Sequence, residues 1–170
     1  GALVLSNHAL FDDLIVAGTP IHTLLNNSIP PHEDKGSSSR CWLRIIPPGA
    51  SGSCGGCAAG RLVGLSRTGS YCGNGSGEIV IAFTTANRVP HYSEKALLPM
   101  TLLHDDAINP LFRAVADALE ESVLSSLLHA ETVTGNHGQT FHSLTELLKN
   151  RDLRRCNTEK AQHRTGALCL

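Results

Sequence analysis

Two serines, a glutamate and an asparagine are of the residue types that nucleophilic chemistry uses. Ser37 follows Gly36 at the end of the string E-D-K-G-S, Glu33 to Ser37. A serine hydroxyl is a weak nucleophile near neutral pH and needs an adjacent base. A break at Gly36–Ser37 would supply one, because a freed α-amine has an ordinary pKa of about 7.7–8.0. The same hydroxyl could make that break, attacking the preceding carbonyl in an N-to-O acyl shift whose ester is then opened by water. Ser76 and Glu78 sit two residues apart in G-N-G-S-G-E, so on extended backbone their side chains share one face. The glycines around them permit close backbone approach. Asn7, in S-N-H, offers an amide suited to donate to a developing oxyanion. Each signal is weak alone. Serines in polar loops and glycine-rich turns before strands are ordinary, and G-N-G-S-G-E lacks the G-K-[ST] ending of a phosphate-binding loop.

Taken together, E-D-K-G-S, S-N-H and the long string G-N-G-S-G-E-I-V-I-A-F-T-T-A-N (Gly73 to Asn87) resemble the self-cleaving serine aminopeptidases of the L-aminopeptidase/D-esterase and β-peptidyl aminopeptidase family. The resemblance runs from Leu3 to Leu148, except for Ser38 to about Leu62. It is strongest from Gly64 to Asn87 and from Asp106 to Gly135, where L-x-x-A-x-x-x-x-x-E and H-A-E-T-V-T-G look like that family's long helix and its exit.

The resemblance implies an α/β fold, a four-layer αββα sandwich, incomplete here. It implies self-cleavage at Gly36–Ser37, with Ser37 as the nucleophile, Ser76 and Glu78 orienting and polarising it, and Asn7 as the oxyanion donor. The implied reaction releases an N-terminal residue from a small peptide, amide or ester through an acyl-enzyme, with no metal or organic cofactor. The family forms oligomers of cleaved heterodimers, so an intact version is expected to be a homo-oligomer. Residues 1–36 would correspond to the end of the α-chain and 37–170 to the β-chain. The family precursor has a longer region before the position matching Asn7, so a C-terminal fragment is expected.

The elements that must carry these residues are partly legible. Leu3 to Leu5 reads as a strand leading into Asn7, and Gly18 to Pro20 reads as a turn. Pro30 to Lys35 reads as an exposed loop. Ile79 to Thr85 is a strand by its β-branched and aromatic content, and its near-continuous apolarity predicts burial of both faces. A helix is expected from about Pro110 to His129, with Asn109 as N-cap, Pro110 at the first helical position and Leu111, Val115, Leu119, Val123 and Leu127 as its stripe. Ser143 to Glu146 reads as a capping box opening a shorter helix. The polar tail after Arg151 has no stripe.

One stretch fits poorly. Ser37 to Gly60 shows no clean period, where the resembled family has a buried strand and then a helix. Codon choices exist by which a neighbouring reading frame would spell G-S-I-I-T-V-L-A-T-D-N-P from Gly36 to Pro47. The expectation is therefore a frame-shifted segment that disrupts the central strand. An inactive, frame-disrupted relative is accordingly the alternative to an active enzyme.

Composition narrows the partners. The 170 residues suffice for one domain, and the formal net charge of −1 gives no electrostatic reason to expect nucleic acid or an anionic membrane. No apolar run is long enough to span a membrane, and nothing near Gly1 reads as a signal peptide, so a cytoplasmic location is expected. Six cysteines show no disulfide-scaffold spacing. Cys54-x-x-Cys57 lacks the second ligand pair of a zinc site, so reduced thiols are expected. The nine histidines form no triad or metal pattern. His129 is placed to bond carbonyls at a helix end.

Overall fold

Side-chain alternation along three short segments builds the sheet on which the candidate residues sit. The computed structural model describes residues 1–7, 11–25, 38–45, 56, 60–74 and 76–150. In chain order these form β1 (Ala2–Asn7), a 3-10 turn (Phe11–Asp13), the β2–β3 hairpin (Ile15–Val16, Thr19–Pro20), α1 (Ile21–Leu25), β4 (Ser38–Ile45) and α2 (Arg61–Arg67). There follow β5 (Gly77–Thr84), a second 3-10 turn (Asp105–Ala107), α3 (Asn109–His129), the β6–β7 pair (Val133–Thr134, Thr140–Phe141) and helical residues 144–150. The main sheet has the order β1-β4-β5, with β1 antiparallel and β5 parallel to the central β4. A parallel pair needs a crossover, and α2 lies within it.

The central strand corrects the sequence expectation. S-R-C-W-L-R-I has a strict period of two from Ser39 to Ile45. Ser39, Cys41, Leu43 and Ile45 are buried, while Arg40 and Arg44 are exposed. Polar and apolar residues interleave tightly enough to hide that period among the glycines and prolines that follow. Pro47 and Pro48 come after the end of β4, outside the described residues. The buried row packs on Val115 and Leu119 of α3, with Val4, Val80, Ala82 and Phe112 closing around it.

The expected two-sided burial of β5 is also corrected. Its burial alternates, leaving Ile79, Ile81 and Phe83 exposed on the side away from the helices. Leu3 and Leu5 of β1 are exposed with them, because among the described residues only one face of this sheet carries a helical layer. Apolar content alone does not distinguish a strand buried on both faces from one with an uncovered apolar face.

Three serines seat β1 on α3. Ser6 Oγ and Ser126 Oγ lie 2.7 Å apart, and Ser122 Oγ donates to the Ala2 carbonyl at 3.3 Å. α2 lies against α3, with Arg67 bridging Asp117 at 2.6 Å and Glu120 at 3.2 Å. A second apolar cluster joins Leu14, Ile21 and Leu25 to Leu144, tying the hairpin region to the last helix. Between β2 and β3, Ala17 and Gly18 both adopt positive φ, 49° and 74°, as a two-residue hairpin turn requires.

The helix caps differ in detail from expectation. α3 is capped by Ile108, with no side-chain bond, and Asn109 is already inside it. The preceding 3-10 turn hands helical geometry to Ile108, whose carbonyl accepts from Leu111 and Phe112. Only half of the capping box forms. The Glu146 amide donates to Ser143 Oγ at 3.2 Å, but the Ser143 amide donates to Thr132 Oγ1 at 2.9 Å rather than to Glu146. His129 meets the Ser125 carbonyl at 2.8 Å through Nδ1, as its place at the helix end predicts.

Candidate functional site

Strand register gathers the chemistry-bearing segments at one end of the sheet. Asn7, the last residue of β1, pairs with Ser38, the first of β4, and Ser38 pairs with Gly77, the first of β5. With neighbouring strands about 4.8 Å apart, this row spans about 10 Å from Asn7 to Gly77. Ser76 and Glu78 flank Gly77, and Glu78 pairs with Ser39. Residues from three separated parts of the chain therefore share one edge. Ser37, Gly36 and His8 lie outside the described residues, as do Cys54 and Cys57.

The turn feeding β5 is closed by the Ser76 amide, which donates to the Gly73 carbonyl at 2.9 Å. It delivers Ser76 and Glu78, both half-buried, on either side of the exposed Gly77. Glu78 belongs to the helix-facing row with Ser39 and Cys41. Asn7 belongs to the other row, with Leu3 and Leu5, and is exposed. The fold thus brings the backbones of Asn7 and Glu78 to one sheet end while directing their side chains to opposite faces. A group at that end could be reached by Glu78 from beneath and by Asn7 from the open side.

A cation and a thiol missed by sequence reasoning sit under the same end. Burial pushes the Cys41 thiol above its ordinary pKa; the Arg61 guanidinium opposes that shift and the Glu78 carboxylate adds to it. Both charged groups therefore act at one buried sulfur. Arg61 opens α2, seventeen positions before Glu78 in the chain, and no local motif links the two. Cys41 and Cys72 carry free thiols. Among the described residues, no three His, Cys, Asp or Glu side chains converge as a metal site would require, and no helix is long and apolar enough to cross a membrane.

The sequence profile of Peptidase family S58 matches residues 1–141. The β-peptidyl aminopeptidase BapA of Sphingosinicella xenopeptidilytica is 30% identical over 174 residues, a match covering 91% of this chain and 43% of that protein. Among solved structures, the PH0078 protein from Pyrococcus horikoshii OT3 superposes with a TM-score of 0.74 at 39% identity, over 87% of this chain and 40% of its own. The L-aminopeptidase D-Ala-esterase/amidase from Ochrobactrum anthropi, described as a prototype of the serine aminopeptidases and a variant of the Ntn hydrolase fold, superposes with a TM-score of 0.70 at 26% identity, over 92% and 43%. The chain therefore spans about two fifths of the length of these relatives. Its mixed helices and sheets fit an incomplete α/β sandwich of that fold, with one helical layer on one main sheet.

Proposed function

The chain belongs to peptidase family S58, and from that premise we propose that it is a self-processing N-terminal-serine aminopeptidase acting on small peptides, amides or esters. The observation that carries the reading is the row Asn7–Ser38–Gly77, which sets the candidate residues' segments side by side. Ser37 is bonded to Ser38, and consecutive Cα atoms across a trans peptide are about 3.8 Å apart. Ser37, the candidate nucleophile, immediately precedes the Ser38 of that row in the chain.

In maturation, Ser37 Oγ attacks the Gly36 carbonyl and the C–N bond to Ser37 breaks. The acyl group passes to oxygen and the α-amine is released. Water then opens the ester, leaving a Gly36 carboxylate and a free Ser37, and dividing the chain into 1–36 and 37–170. In turnover, the Ser37 amine takes the proton from its own hydroxyl as Oγ attacks the scissile carbonyl of the substrate. It passes that proton to the departing amine or alcohol, and water hydrolyses the acyl-enzyme. Glu78 stabilises the protonated amine from the helix side, Ser76 relays a hydrogen bond to Oγ, and Asn7 donates to the oxyanion from the open side.

Intact mass of the purified chain beside Ser37→Ala tests this. Two products divided at Gly36–Ser37, absent from the variant, are expected. A single uncut mass in both refutes the proposal. It would support a second reading, a family member that folds without turning over, which is motivated by Arg40 and Arg44 on the sheet face that carries Leu3, Leu5, Ile79, Ile81 and Phe83.

A further inference from the structure

The turn that delivers Ser76 is held by an aromatic ring to which the chemistry above gives no part. A Cβ on Gly73 would collide with Tyr71 Cε2 and lie 3.1 Å from Cζ and 3.3 Å from Cδ2, so the ring rests on the Gly73 backbone. Gly73 in turn gives its carbonyl to the Ser76 amide at 2.9 Å. A bond of that span keeps the two α-carbons within about 7 Å of each other. The ring, the turn and Ser76 are therefore consecutive links of one contact chain.

The root of this turn is fixed on two sides. The Thr68 and Ser70 amides both donate to the Leu65 carbonyl, at 3.1 and 3.2 Å, which ties the segment to the end of α2. The Thr68 carbonyl accepts from the Ile15 amide at 3.2 Å, and Thr68 and Ser70 are buried. Between root and turn, Cys72 stands at φ 51°, a left-handed conformation that residues other than glycine rarely adopt. Such a conformation persists only where its surroundings over-determine it. It lies between Tyr71 and Gly73, where the chain must bend for the ring to fold back over the glycine. Ser70 Oγ, 3.8 Å from Cys72 Sγ, braces the same kink.

We propose that Tyr71, on the aminopeptidase reading above, is a positioning residue: its ring clamps the turn that sets Ser76 against the nucleophile. Ser76 and Glu78 depend on this clamp unequally. Glu78 lies inside β5, where pairing with Ser39 fixes its place. Ser76 precedes the strand, so the turn decides where its hydroxyl sits. A hydroxyl that relays a hydrogen bond to a reacting oxygen works only within bonding reach, and a misplacement of about 1 Å can cost about a hundredfold in rate. The rival is that the ring adds stability and nothing else. Tyr71 belongs to neither apolar cluster and is 62% exposed, so its loss leaves the core intact.

Two readouts test this. In Ser37→Ala, which lacks the nucleophile, hydrogen exchange at the Ser76 amide reports the turn directly. Adding Tyr71→Ala should speed that exchange by about tenfold or more, and adding Tyr71→Phe should leave it unchanged. Unchanged exchange with Tyr71→Ala overturns the inference, whether or not the parent chain cuts itself. Exchange raised equally by Tyr71→Phe also overturns it, because the hydroxyl and not the ring would then hold the turn. With Ser37 in place, Tyr71→Ala should slow self-cleavage at Gly36–Ser37 by about tenfold, and Tyr71→Phe should restore the parent rate. The slowing should vanish in a Ser76→Ala background and persist in Glu78→Gln. Slowing that is equally large without Ser76 leaves the ring merely structural and overturns the inference. A parent that never cuts refutes the aminopeptidase reading, and exchange alone then decides whether the ring clamps the turn. Thermal melts show whether each variant folds. Should Tyr71→Ala not fold, Gly73→Ala pushes the same ring off the turn and takes its place in both readouts.

Discussion

Gly64→Ala sets two effects of known size against each other at the contact between α2 and α3. Gly64 is the fourth residue of α2 and is buried. Helix propensity favours alanine there by about 0.8–1.0 kcal/mol. Packing opposes it. A Cβ on Gly64 would lie 2.8 Å from the Ala116 carbonyl oxygen and 2.8 Å from Leu119 Cβ. Neither is the far end of a flexible side chain, so the helices must separate by several tenths of an ångström. Leu119 is completely buried and packs against the Cys41–Leu43–Ile45 row, so displacing it loosens the sheet–helix layer as well. Overpacking of this kind costs about 1–3 kcal/mol. Packing wins over nearly all of that range, for a net loss of up to about 2 kcal/mol and a drop in melting temperature of up to roughly 8 °C for a domain of this size. Urea unfolding should show a lower midpoint at unchanged slope. A variant that melts higher than the parent would refute the reasoning, because propensity would then outweigh a contact that the geometry makes impossible to keep.

Three further outcomes are expected. Glu78→Gln removes the charge while keeping the size, and should slow self-cleavage at Gly36–Ser37 by about a hundredfold, the scale of one electrostatic contact to a reacting group; cleavage at the parent rate in a folded variant sinks that role. Cys41, almost fully buried with its thiol pushed up by burial, should resist iodoacetamide in the native chain while the half-buried Cys72 reacts, as peptide mapping would show; equal rates would contradict the burial. The Glu146 carboxyl is held below its usual pKa by a hydrogen bond from Thr132 and then by His142, so its support is present above the unfolded-state value and lost as pH falls through the folded one. Proton exchange at the Ser143 amide, which donates to the same Thr132 hydroxyl, should accelerate over that acidic window, and Glu146→Gln should abolish the step; identical profiles would rule the tie out.

What could be read in the sequence follows the physics of each signal. The stripe of α3 is set by a period that survives any tertiary context, so the expected helix and the observed one differ by a single residue at the start. The cap failed because Asn109 is a good capping residue locally, whereas a 3-10 turn three residues earlier decides where helical geometry begins. The β5 strand was legible from its content, but its exposed face was not, since an apolar side chain reads the same whether or not something covers it. At the site, Ser76 and Glu78 are local and therefore visible. Their alignment with Asn7 depends on a pairing across some seventy residues, which only strand register displays. Arg61 left no local signal, because its relation to Glu78 exists only under the folded sheet.

The central strand shows why a disrupted-looking segment can still seat the site. A strand placed on one helical layer must satisfy that layer with alternate residues only. Ser39, Cys41, Leu43 and Ile45 do so, and the row is buried against α3 whatever stands at positions 40, 42 and 44. The neighbouring-frame string I-I-T-V-L-A would place apolar residues on both faces and suit a strand covered on both sides. The present string is amphipathic and suits one that is open on one side. Fold formation at the site end therefore does not discriminate between the two readings, because both satisfy the inner row. They part at Arg40 and Arg44, which face whatever covers the sheet. Reading the coding DNA through Ser37 to Gly60 decides between them: codons that do not spell the apolar string in the neighbouring frame leave the arginines as the strand's own.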